Sequence, residues 1–124
     1  MNTARKGNSA EVYVARWLQA RGWLVGSRRH IGGAGDLLAV WPGSPGPFAT
    51  PSKTRPSVYM QLFPGATWLL EVKACKELWQ QFRREDRQAM RDTPLPPGGE
   101  RLVVNVRGSG DKRELIWAPE SAWP

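Results

Sequence analysis

Thr67-Trp68-Leu69-Leu70-Glu71-Val72-Lys73 is an apolar run that closes on an acid and a lysine one residue apart, and its reading decides the fold. In an extended strand successive side chains alternate faces, so Glu71 and Lys73 share one face while Leu70, Val72 and Ala74 share the other. Two opposite charges thus stand together on a strand otherwise suited to burial. An ion pair on a half-exposed strand is the ordinary reading of that pattern. A second segment alters it: Asp36-Leu37-Leu38-Ala39-Val40 opens on an acid and continues as a strand. Hydrolysis of a phosphodiester calls for hard carboxylates to hold magnesium and a cation to orient or deprotonate the attacking water. Asp36, Glu71 and Lys73 carry those three functions, which points to metal-dependent nuclease chemistry.

Upstream, Asn8 or Ser9 is placed to cap a helix over 11–21 that stops at Gly22. Positions 11, 14, 15 and 18 share one face and read Glu, Val, Ala, Leu. A carboxylate on the core side of a helix is costly without a partner, which singles out Glu11; the alternative is a first-turn acid favoured by the helix dipole. Residues 23–27 read as a first strand. The segment Arg28-Arg29-His30-Ile31-Gly32-Gly33-Ala34-Gly35 is a flexible basic loop, and because a strand over 36–41 follows it, it is not a dinucleotide fingerprint.

Pro42, Pro45, Pro47, Pro51 and Pro56 exclude regular structure and mark a Pro/Gly-rich insertion at about 42–57. A short strand over 58–63 and a turn over 64–66 lead to the third core strand, 67–75. Lys76 to Arg91 reads as one helix with Leu78, Phe82 and Ala89 on one side. Arg83, Arg87 and Arg91 recur every four residues, either as a solvated face balanced by Glu85 and Asp86 or as a stripe for backbone phosphates. After a loop over 93–99, residues 101–107 and 115–118 form a hairpin. Helix, three strands, helix and two strands make an α/β sandwich with a mixed central sheet. Asp36 and Glu71 would lie on adjacent strands, with Glu11 brought to them by the first helix.

A chain of 124 residues accommodates a single domain, 1–124. The formal net charge of +7 calls for a polyanionic partner, nucleic acid first, because neutralised phosphates release counterions. The charge is uneven: Arg5, Lys6, Arg16, Arg21, Arg28 and Arg29 face only Glu11 in the first 35 residues. Cys75 is the sole cysteine, which excludes an intramolecular disulfide or a cysteine zinc site and suits a reducing compartment. No apolar run reaches the ~18 residues of a membrane span, and the N-terminus lacks a secretory apolar stretch. The expected location is the cytoplasm, or the host cytoplasm for a viral chain, with no membrane partner. His30 is the only histidine, so histidine-based nuclease and zinc mechanisms lack partners.

An acid, a spacer, then acid-x-lysine on the next core strand resembles the PD-(D/E)XK nuclease superfamily, with Asp36 and Glu71-Val72-Lys73 as the match. The opening Arg5-Lys6-Gly7-Asn8-Ser9-Ala10-Glu11, the helix ending in Arg21-Gly22-Trp23, and the Gly-rich loop before Asp36 are similar to the archaeal-type Holliday junction resolvases. That resemblance spans most of the chain apart from the proline-rich insertion. It implies a restriction-endonuclease-like αβββαβ core and a Mg²⁺-dependent endonuclease, with Mn²⁺ as substitute and no small-molecule cofactor. The substrate would be a four-way DNA junction, cut by a homodimer with paired symmetrical nicks. Asp36 and Glu71 would ligand the metal, with the Val72 carbonyl and Glu11 as further candidate ligands, and Lys73 would position or activate water. Arg5, Lys6, Arg28, Arg29, His30, Arg83 and Arg87 would contact DNA. Ser27 would have a supporting role in place of a serine nearer the aspartate. Gly35 stands where proline often precedes the aspartate, a variation expected to carry little chemical content. The alternatives are a restriction- or repair-type nuclease of the same superfamily, or a non-catalytic nucleic-acid-binding module.

Overall fold

The computed structural model describes residues 3–28, 34–42 and 65–124, with the backbone alone for 3–8. Helix α1 (Thr3–Ala20) precedes strands β1 (Leu24–Ser27), β2 (Leu37–Val40) and β3 (Thr67–Lys73). Two helices follow, α2 (Leu78–Gln81) and α3 (Arg84–Arg91), then strands β4 (Glu100–Arg107) and β5 (Glu114–Pro119). The strands form one mixed sheet in the order β1-β2-β3-β4-β5. Among the described strands only β3 and β4 run parallel; the other neighbours are antiparallel. A parallel pair needs a crossover, and α2 and α3 supply it. The chain is therefore an α/β protein with a mixed open sheet, five-stranded among the described residues, as its order of elements predicts.

The pleat divides the core in two. On one face Leu37, Ala39, Trp68, Leu70, Val72, Leu102 and Val104 meet Ala10, Val14 and Leu18 of α1. Tilted indoles fill that layer: the Trp23 ring centre lies 4.2 Å from that of Trp68 and 5.5 Å from that of Trp41, and Trp117 lies 5.5 Å from Trp17. On the other face Leu69 and Val103 pack with Phe82 of the helical crossover, Met90 of α3 and Trp123. Trp117 and Trp123 are buried in this core, while Trp79 is 40% exposed.

Three expectations need correction. Helix α1 starts at Thr3, not at a cap on Asn8 or Ser9, because Ala4, Arg5 and Lys6 are good helix formers that extend it upstream. The single helix expected over 76–91 is broken at Phe82 and Arg83. Phe82 turns fully into the core, edge-on to Trp123 at 4.9 Å, and α3 restarts where Asp86 Oδ2 accepts from the Arg83 N–H at 3.2 Å. The break also changes the buried face: Met90 is buried and Ala89 is exposed. The strand expected over 58–63 and all but the first residue of the 42–57 insertion lie outside the described residues.

Candidate active site

The buried run of β3 is interrupted at Glu71 and Lys73, the two half-buried positions on the face that α2 and α3 cover. Leu37 pairs with Leu70 across β2 and β3, which sets Asp36, the residue before Leu37, opposite Glu71. The backbone enforces this approach. Asp36 N–H donates to the Leu70 carbonyl at 2.7 Å, and Val72 N–H donates to Asp36 Oδ2 at 2.8 Å. Lys73 Nζ lies 3.3 Å from Glu71 Oε2.

Burial pushes the Glu71 carboxyl up to about 7, and the Asp36 carboxylate adds to the rise. Lys73 opposes it by charge and hydrogen bond, and Asp86 on α3 contributes a smaller upward push. Repulsion between neighbouring carboxylates is relieved when a cation sits between them, so the pair fits a hard divalent ion such as Mg²⁺. Such an ion is commonly held by one or two carboxylates, its remaining positions going to water and phosphate oxygens.

Glycine before Asp36 turns out to matter. Gly35 has φ of +89°, and a Cβ there would stand 2.8 Å from Leu69 Cδ1 and 3.3 Å from Met90 Sδ. Proline, fixed near −65°, cannot adopt this conformation, so Gly35 has conformational content that the expectation of a neutral variation missed.

The remaining expected residues divide. Arg28 N–H donates to the Asp36 carbonyl at 3.0 Å, which brings Arg28 to the carboxylate pair, with Ser27 beside it at the end of β1. Glu11 is not gathered: α1 packs on the opposite face of the sheet, and among the described residues no three His, Cys, Asp or Glu side chains come close enough to hold a metal. Arg83 is exposed at the start of α3. Arg87 is engaged within the fold, its Nη1 donating to the Phe82 carbonyl at the helix break. Arg91, the third member of that stripe, pairs with Glu120 at 3.2 Å. Arg29, His30 and the side chains of Arg5 and Lys6 lie outside the described residues.

Sequence reasoning missed Asn105. It is buried in β4 beside Lys73, its Oδ1 accepting from Cys75 N–H at 3.0 Å and its Nδ2 donating to the Cys75 carbonyl at 2.8 Å. These two bonds fix the chain immediately beyond Lys73. A lone amide in Val103-Val104-Asn105-Val106 is the signal that was available. No helix among the described residues is long and apolar enough to cross a membrane. Comparison with protein-family models, curated proteins and solved structures finds no match to this chain.

Proposed function

We propose that this chain is a metal-dependent DNA endonuclease with a restriction-endonuclease-like core, and that its substrate is a four-way junction. The observation that carries the reading is the meeting of Asp36 and Glu71 across β2 and β3, with Lys73 on the same strand 3.3 Å from Glu71. The αβββαβ order, an antiparallel β1-β2-β3 meander and a crossover to parallel β4 support the same core. Bound at the pair, Mg²⁺ supplies charge neutralisation and polarisation of the phosphodiester. Asp36 and Glu71 hold the ion, and the Val72 amide keeps Asp36 in register with Glu71. Lys73 orients the attacking water and stabilises ionised Glu71. Arg28 extends the positive surface next to the cut, in keeping with a chain of net charge +7.

The junction is supported by the basic opening Arg5-Lys6-Gly7 and the Gly-rich loop before Asp36, both similar to archaeal-type resolvases. Two nicks in one junction require two sites, hence a homodimer. The test is incubation with Mg²⁺ and labelled four-way junction, linear duplex or single strand. Paired symmetrical nicks confined to the junction support resolution. Equal cutting of linear duplex removes the junction and leaves a restriction- or repair-type nuclease.

A further inference from the structure

A cavity of ≈ 720 Å³ opens beyond the carboxyl ends of the parallel strands β3 and β4, beside α1. Ala10, Ala74 and Val106 give it apolar walls, and Lys76, Arg107 and Arg113 bring three positive charges to it. No acid lines it, and among the described residues no carboxylate lies within ion-pair distance of these three cations. One of them is pre-set: Arg113 Nη2 donates to Ser9 Oγ at 3.0 Å, and its guanidinium lies 4.8 Å from the centre of the Tyr13 ring. In open α/β sheets the crevice beyond the carboxyl ends of parallel strands is a common place for ligands. Glu114 stands across from Arg107 on β5 without forming an ion pair with it, so three cations with no salt-bridged acid suit an anion with several oxygens.

The position of the cavity defines that anion. Lys76 is three residues beyond Lys73, so the two α-carbons are at most ~11 Å apart. A nucleic-acid strand carries one phosphate per about 3.4 Å of axis, so the cavity, on the face of the sheet that α1 covers, lies within roughly three phosphates of the carboxylate pair on the other face. We infer that it binds backbone phosphates of the strand that runs on from the cut, with Lys76 and Arg107 at its mouth and Arg113 held within. This deepens the nuclease reading and rests on it. None of Lys76, Arg107 and Arg113 was singled out by the sequence as a contact.

The test is fluorescence anisotropy of the full chain with labelled single-stranded oligonucleotide and four-way junction, in metal-free buffer from about 50 to 200 mM salt. With two phosphate contacts removed, the Lys76→Ala/Arg107→Ala variant loses about 1.5 from the magnitude of the slope of log affinity against log salt. Arg107→Lys keeps the slope. Ser109→Glu, an exposed change at the rim, weakens binding without disturbing the core and serves if the double variant unfolds. An unchanged slope and affinity in folded variants overturns the inference. So does a loss confined to free mononucleotide with DNA binding intact, which would make the cavity a nucleotide site. Because no metal is present, the outcomes separate: a slope change in a protein that cuts nothing keeps the cavity and removes the nuclease, and normal cutting with an unchanged slope does the reverse.

Discussion

Val72 N–H donates to Asp36 Oδ2 at 2.8 Å, so the acid that precedes β2 is fixed against the peptide that joins Glu71 to Val72. The two carboxylates are neighbours through the backbone of the sheet, not through a chance approach of surface side chains.

Proton binding at Glu71 sets a pH dependence. Its folded-state value of about 7 lies above the ordinary 4.5, so between these limits the folded chain binds more protons than the unfolded one. Stability without metal is therefore greatest below about pH 4.5 as far as this group is concerned, and is lost as pH rises through about 7. Mg²⁺ needs the ionised pair, so its stabilising shift in Tm is larger at pH 8 than at pH 6. Thermal denaturation across that range, with Glu71→Gln as the variant in which both trends vanish, measures this. Equal Mg²⁺ shifts at the two pH values contradict it.

Lys73→Ala has two expected effects. Removing a cation 3.3 Å from Glu71 raises the carboxyl further, since that charge now opposes the rise. Loss of the group that orients water slows cleavage by about 10²–10⁴-fold. The pH–rate profile of the residual activity reads both: its acidic limb moves to higher pH. A profile that stays in place detaches Lys73 from Glu71.

Gly35 holds a conformation closed to proline and strained for alanine. Gly35→Ala forces a Cβ against Leu69 and costs about 1–3 kcal/mol of stability, measured by urea denaturation. Gly35→Pro costs more and displaces Asp36, so cleavage falls along with it. A Gly35→Ala protein of unchanged midpoint and activity would refute the role of this turn.

Asn105→Ala removes the two hydrogen bonds that the amide makes to the Cys75 N–H and carbonyl, at a cost of about 2–4 kcal/mol. The denaturation midpoint drops with an unchanged m-value. Cys75 at the same time becomes more reactive to thiol reagents, because the segment beyond Lys73 loosens. A midpoint within error of wild type shows that water replaces the amide.

Much of this was legible in the residues. Alternation placed Glu71 and Lys73 on one face, and the apolar strand beginning at Asp36 placed the acid opposite, because strand periodicity is local and burial reinforces it. Hidden were features set by tertiary packing. Phe82 breaks a helix that 76–91 would form by propensity, since burying one aromatic outweighs a few backbone bonds. Arg87 sits at phosphate-stripe spacing yet donates to that break. Glu11 lies on the helix covering the far face of the sheet, a placement that helical periodicity cannot reveal. Arg107 and Arg113 are far from Lys76 in sequence and come together only through the parallel pairing of β4 with β3.

The most direct measurement compares wild type with Asp36→Asn on a labelled four-way junction, following cleavage with Mg²⁺ and binding without it. Asparagine keeps the shape and can still accept from Val72, but it removes the charge that holds the ion. Cleavage is expected to fall by at least about 10³-fold while junction affinity changes little, because phosphate contacts dominate it. Cutting by Asp36→Asn at the wild-type rate, or no cutting of any DNA by wild type at any divalent-ion concentration, contradicts a nuclease built on Asp36 and Glu71.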